Sequence, residues 1–258
     1  MTDARPAARP ATALQDDPGL PDFVRDPVRL DAKRHARVGV LPAAGYYGFA
    51  VATVMVPITV DELMPAARHY PIVFPSGVAA HPVAVLGTPG GINRHVERDG
   101  RWRRDCYVPE WLRRYPFVPV QGTGGRWELG IDAASHRFVA EHGAAAASAP
   151  LFDASGLYSS TARAAWQRCL EYIESLERTR RWIGALRRDY QLVERCARCR
   201  GGEDRPERRV HPHQVVDLQA YRDLPRSSVL AWHRHGWALP TAVQLASQYH
   251  WQGLRRAA

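Results

Sequence analysis

Two arginines, Arg113 and Arg114, stand between Trp111 and Tyr115 in a stretch pinned by Pro109 and Pro116. A guanidinium is a planar, permanently charged fork of N–H donors that matches carboxylate and phosphate oxygens. Held beside aromatic rings and fixed by proline, the pair could offer its charge to an anionic ligand. Trp111, Arg113, Arg114 and Tyr115 therefore form a candidate recognition surface. The same residues also fit an internal role. Their guanidinium groups could stack on those rings and pair with Asp99, Asp105, Glu110 or Asp132, locking a turn without any ligand.

A second constellation is Cys196, Cys199, His211 and His213. Two cysteines in a Cys-x-x-Cys spacing form half of a common zinc site, because a tight loop brings both sulfurs to one ion. His211 and His213 would share one side of an extended strand. The paired histidines of helical fingers are spaced three to five residues apart, and this pair is not. The alternatives are a structural zinc held by these four residues and a solvated loop carrying thiols.

Other chemistries find less support. Ser155, Ser159 and Ser160 do not sit in a G-x-S-x-G turn. GTPGG at 87–91 lacks the Lys-Ser/Thr that completes a phosphate loop, and QGTGGRW at 121–127 opens a strand instead of a helix. His233 and His235 lie two apart on an expected helix, so with His250 they form no facial triad. They read as part of an aromatic face with Trp232, Trp237 and Trp251.

The elements that must carry these residues can be read from apolar period and turn signals. Residues 1–40, rich in Pro, Ala, Arg and Asp, read as a mostly disordered arm ahead of a single domain over 41–258. Tyr46–Pro57 reads as a buried strand. Thr59-Val60-Asp61-Glu62 has the form of a capping box opening a helix through about Arg68. Strands are expected at 72–74, 82–87, 102–108, 117–120, 127–132 and 138–140. Turns are expected at Asp99-Gly100, Gly91-Ile92-Asn93 and Gly124-Gly125, and a loop at Ala144–Ala147. From Ser159 the period changes. Trp166, Cys169, Leu170, Ile173, Leu176 and Ile183 recur at helical intervals, predicting helices over 160–177 and 179–190. Three shorter helices are expected near 215–223, 227–235 (stopped by Gly236) and 240–253. The fold class is α+β: a mixed or antiparallel sheet over 45–145 packed against helices over 159–258.

Composition narrows the class. The chain has 258 residues, 45% hydrophobic and 24% charged, as in ordinary globular proteins. Its net charge is +9, and Lys33 is its one lysine. Basic charge favours loose association with nucleic acid or anionic membrane, but no nucleic-acid fingerprint accompanies it. The longest apolar run, Gly48–Val60, is too short for a bilayer, which needs about 20 residues. The N-terminus lacks the apolar core of a signal peptide, so a cytoplasmic protein is expected.

Several motifs occur in a fixed order: VPITVDEL (56–63), HYPIVFP (69–75), PVAVLG (82–87), DGRW (99–102), YVPEWLRRYPF (107–117), LGID (129–132) and PLFD (150–153). VVDLQAYRDLP (215–225) and HGWALPTAVQLASQ (235–248) follow. This series, from about Val56 to about Gly253, resembles the SapC family of bacterial proteins. The segment before Val40 and the Cys/His loop at 196–213 look like departures from the family pattern. The resemblance implies an accessory protein linked to surface-layer export, with relatives encoded beside outer-membrane receptors and flavin-dependent halogenases; it implies no catalytic residues. The leading expectation is a non-enzymatic binding protein in surface-layer or envelope-associated transport, with a protein partner. The alternatives are an enzyme or enzyme partner in a receptor–halogenase or oxygenase system, and a zinc-containing nucleic-acid binder.

Overall fold

A computed structural model describes residues 20–43, 45–76, 81–88, 91–143, 147–189, 191–196, 198–199, 208–209 and 212–256. Antiparallel sheets fill the N-terminal part and helices dominate the C-terminal part, an α+β fold.

Two sheets organise the site. In the first, strand Phe117–Gln121 pairs with Trp127–Asp132, and Pro27–Arg29 adds to the other edge. The hairpin between Phe117–Gln121 and Trp127–Asp132 turns on Gly124 and Gly125, both near φ +75°, a conformation that glycine adopts without Cβ strain. In the second sheet, Met55–Pro57, Val83–Val85 and Ile72–Pro75 are joined by His213–Val216 and Leu192–Arg195. A strand from the helical half thus pairs with one from the sheet half, His213 opposite Pro75. A third small sheet places Gly39–Val40 between Phe138–Val139 and Ala149–Pro150.

Several elements differ from the sequence expectation. The part of the N-terminal segment that is described, residues 20–40, is built into the fold. Its scattered apolar side chains Phe23, Val24, Leu30 and Val40 are buried, and the Asp26 amide donates to Asp132 at 2.8 Å. Residues 1–19 lie outside the described residues. The run Tyr46–Pro57 is a strand only over Met55–Pro57, with a 3₁₀ turn at Gly48–Ala50 before it. Over 102–108 only Trp102 bridges, to Val96, around the Asp99-Gly100 turn. Residues 213–216 form a strand where a helix start was expected. Val215 and Val216 suit a pleated surface, and the helix waits for Asp217, whose carboxylate caps Gln219 and Ala220.

The expected pair of helices at 160–190 is one helix, Ser160–Arg188. Nothing at 178–179 breaks it: the Thr179 hydroxyl donates to the Ser175 carbonyl one turn back and accepts from the Val60 amide at 2.8 Å. Its apolar side carries Tyr172, Leu176, Trp182, Ile183 and Leu186 into the main core, with Tyr70, Phe74, Trp111 and Trp232. The expected capping box forms at Val60–Glu62, with the Glu62 carboxylate accepting from the Thr59 amide at 2.9 Å. Helix Arg226–Arg234 ends at Gly236, φ +72°, as expected from its sequence.

Candidate functional site

Helix Glu110–Arg114 is a single turn inserted between two prolines. Pro109 supplies a fixed φ at the start, and the chain becomes extended at Tyr115 and enters strand Phe117–Gln121. One turn of helix has two sides, and the four candidate residues divide between them. Trp111, Arg114 and Tyr115 point inward at 2%, 3% and 6% exposure, while Arg113 faces out. The structure therefore does not gather them into one surface patch.

Each inward residue is held by its surroundings. The Tyr115 hydroxyl donates to Asp132 at 2.9 Å, and burial, with the Asp132 carboxylate adding to it, pushes this phenol up to about 12. The Tyr115 carbonyl accepts from Arg137 at 2.6 Å, and Arg137 spends its other donors on the Leu41 carbonyl at 2.7 and 3.1 Å. Arg113 donates to the Val108 carbonyl at 2.9 Å, lies 3.5 Å from the Glu110 carboxylate and sits over the Tyr107 ring.

Arg114 is different. Its guanidinium lies 4.2 Å from the centre of the Trp111 ring and 3.8 Å from that of Tyr172 on the long helix. All three nitrogens are closed to solvent, and none has an oxygen or nitrogen acceptor within hydrogen-bond geometry. The Cys169 thiol is its polar neighbour. Burial pushes that thiol up to about 11, more than Arg114 pulls it down, so it stays neutral and supplies no counter-charge. Two ring faces offset part of the cost of such a charge, by about 2 kcal/mol each when desolvated. Transfer of an unpaired ion into the interior costs several kcal/mol.

Arg114 floors a recess of about 300 Å³ where Glu110–Arg114 meets the long helix. Arg113, Arg137 and Arg168 share the lining, with Ala164, Ala165 and Phe117 as apolar wall. Arg168 is exposed and makes no hydrogen bond or ion pair with a described residue. Among the described residues no carboxylate belongs to the lining. Two other recesses carry carboxylates in their lining. In one of about 420 Å³ beside Met64, Trp237 and Leu239, Arg178 is ion-paired with Asp61. Burial alone would raise the Asp61 carboxyl; hydrogen bonds from Arg178 and Ser175 outweigh it and hold that carboxyl below its usual range. In one of about 400 Å³, Arg29 lies 3.3 Å from Asp31 and 3.4 Å from Glu128.

Sequence reasoning missed Arg137, Arg168, Cys169 and Tyr172. A signal exists for Arg168: Ala164 and Ala165 lie one turn before it, a small-residue patch under a long cation. That this face meets Glu110–Arg114 depends on tertiary packing alone.

The proposed metal ligands fall as follows. His213 is buried and stacks on Trp251 at 5.4 Å, and Cys196 is exposed at the end of its strand. Cys199 lies in a short strand paired with Arg208–Arg209, and His211 lies outside the described residues. Among the described residues no group of three or more His, Cys, Asp or Glu side chains is placed to hold a metal. No helix among them is long and apolar enough to cross a membrane.

Fold and site together define an α+β protein with a positively charged pocket between a proline-bounded turn and a long helix. The SapC family model matches residues 30–254, and the chain belongs to the SapC family. The match takes in residues 30–40, which looked like an addition to the family pattern. No curated protein and no solved structure gives a significant match.

Proposed function

We propose that this chain is a non-enzymatic accessory protein that binds a protein partner in surface-layer or other envelope-associated transport, acting from the cytoplasm. The observation that carries the binding role is the recess at Arg113, Arg114, Arg137 and Arg168, where four cations meet and no carboxylate of the described residues shares the lining. A folded protein ordinarily pairs its buried charges, so Arg114 and Arg137, enclosed guanidinium groups without a carboxylate partner among the described residues, are a reason to look for the group that neutralises them. The link to envelope transport rests on family membership, not on geometry.

The test is affinity capture with the full chain, followed by identification of what is retained. Arg113→Ala/Arg168→Ala is the variant of choice, because both side chains reach the surface and their loss leaves the core intact. Recovery of the identified partner is expected to fall about tenfold or more, the effect of losing one well-placed charged contact. Undiminished recovery by a folded double variant rules the recess out as the partner's site.

A further inference from the structure

The recess differs from the other two in having no carboxylate among its described lining residues, and its walls describe what would complete it. Arg168 stands at the mouth with its donors unused. Arg113 stands beside it, partly engaged by the Val108 carbonyl and Glu110. Arg114 forms the floor with its guanidinium nitrogens closed to water, so its positive field reaches the recess through a medium of low dielectric constant with little screening. Arg137 adds a second charge whose hydrogen bonds go only to carbonyl oxygens, leaving the charge itself uncompensated. Between them lie two alanine methyls and the Phe117 ring. About 300 Å³ is at the lower end of small-molecule sites.

From this geometry we propose that the recess binds a carboxylate carried on a short aliphatic stem, the chemistry of an acidic side chain or of a small free dicarboxylate. The carboxylate pairs with Arg168 at the mouth, one planar fork against another, with Arg113 alongside. The stem lies against Ala164, Ala165 and Phe117. Arg114 and Arg137 act from behind as fixed charges, strengthening the pairing without touching the ligand. This inference rests on the reading that the recess is the working site, and it adds the chemistry recognised there.

The experiment measures thermal midpoints of the intact protein against glutarate, the blocked peptide acetyl-Ala-Glu-Ala-amide, inorganic phosphate and sodium chloride, all at matched ionic strength. Glutarate represents the free source and the peptide the protein-borne one. A saturable rise of roughly 3 °C at ten times the dissociation constant is expected with at least one of the two carboxylates. Arg168→Ala should abolish that rise while leaving the midpoint without ligand unchanged. Three results overturn the proposal: no rise with either carboxylate beyond that with chloride, an equal rise in Arg168→Ala, or a rise with phosphate alone. The assay needs no partner. Failure here with successful partner capture removes the carboxylate assignment only, whereas saturable carboxylate binding with partner recovery unaffected by Arg113→Ala/Arg168→Ala removes the partner reading only.

Discussion

At the scale of single residues, the buried polar groups of this protein follow three patterns. Glu62 and Asp132 are satisfied. Glu62 accepts from the Thr59 and Glu110 amides at 2.9 and 2.7 Å and from the Tyr107 hydroxyl at 3.1 Å. Burial raises its carboxyl more than these bonds lower it. Asp132 accepts from Asp26, Tyr115 and Ala134, tying the N-terminal segment to the arginine turn. Arg114 is the contrast, a buried charge with aromatic neighbours and no acceptor. His95 is a third case. It is buried between Tyr70 and Trp102, and burial, with the positive charge of Arg103 adding to it, pushes its imidazole down to about 4. The folded state thus binds its proton more weakly than the unfolded state, whose histidine titrates near 6.5. Between these values the unfolded chain holds more protons, so stability falls as pH drops from about 6.5 towards 4, by up to about 3 kcal/mol. Glu62 acts with the opposite sign, as its raised carboxyl loses stability when pH rises above the usual carboxylate range. Comparing wild type with His95→Phe isolates the histidine contribution: denaturant unfolding from pH 7 to 4.5 should show a shallower acid loss in the variant. Equal slopes would remove this account of His95.

At the scale of elements, helix Ala238–Ser247 joins the two halves of the chain through Gln244 and Ser247. Gln244 accepts from the Val216 amide at 3.2 Å and donates to the Ile72 carbonyl at 2.8 Å, so it satisfies two adjacent strands of the five-stranded sheet. Ser247 accepts from the Ile72 amide at 3.0 Å. Gln244→Ala leaves the buried Val216 amide without its acceptor, while the Ile72 carbonyl keeps the Gln248 side-chain amide at 2.6 Å, and is expected to cost about 1–3 kcal/mol in urea unfolding. Gln167→Ala, whose side chain meets only exposed Glu171, is expected to stay within about 0.5 kcal/mol. Local patterns were legible where local forces decide. The capping box at Thr59–Glu62, the diglycine hairpin at 124–125 and the Gly236 stop all follow from capping and φ preferences. The helix Glu110–Arg114 was not legible, because five residues carry too little period to outweigh the strand-like aromatics around them. The strand His213–Val216 was missed because its partner, Ile72–Pro75, lies about 140 residues away, and pairing at that distance leaves no local mark.

At the scale of the whole molecule, the excess of basic over acidic residues is 35 against 26. Composition spreads that excess along the chain, and the fold concentrates part of it. Arg113 and Arg114 were visible as a candidate because they are adjacent to each other and to rings. Arg137 and Arg168 reach the same recess from a segment beyond strand Trp127–Asp132 and from the long helix, and only packing brings them there. The inward turn of Trp111, Arg114 and Tyr115 was likewise beyond sequence reach, since a helix of five residues buries whichever side the neighbouring helix covers.

If the recess is the working site, the buried charge of Arg114 serves recognition and not the fold. Arg114→Met keeps the length and the contact with both rings but removes the charge. Urea unfolding without ligand measures the consequence. The free energy of unfolding is expected to lie within about 1 kcal/mol of wild type, or higher, because desolvation of the charge is relieved as the cation–π contacts are lost. A loss of about 2 kcal/mol or more would show the guanidinium to be a structural lock and contradict the account.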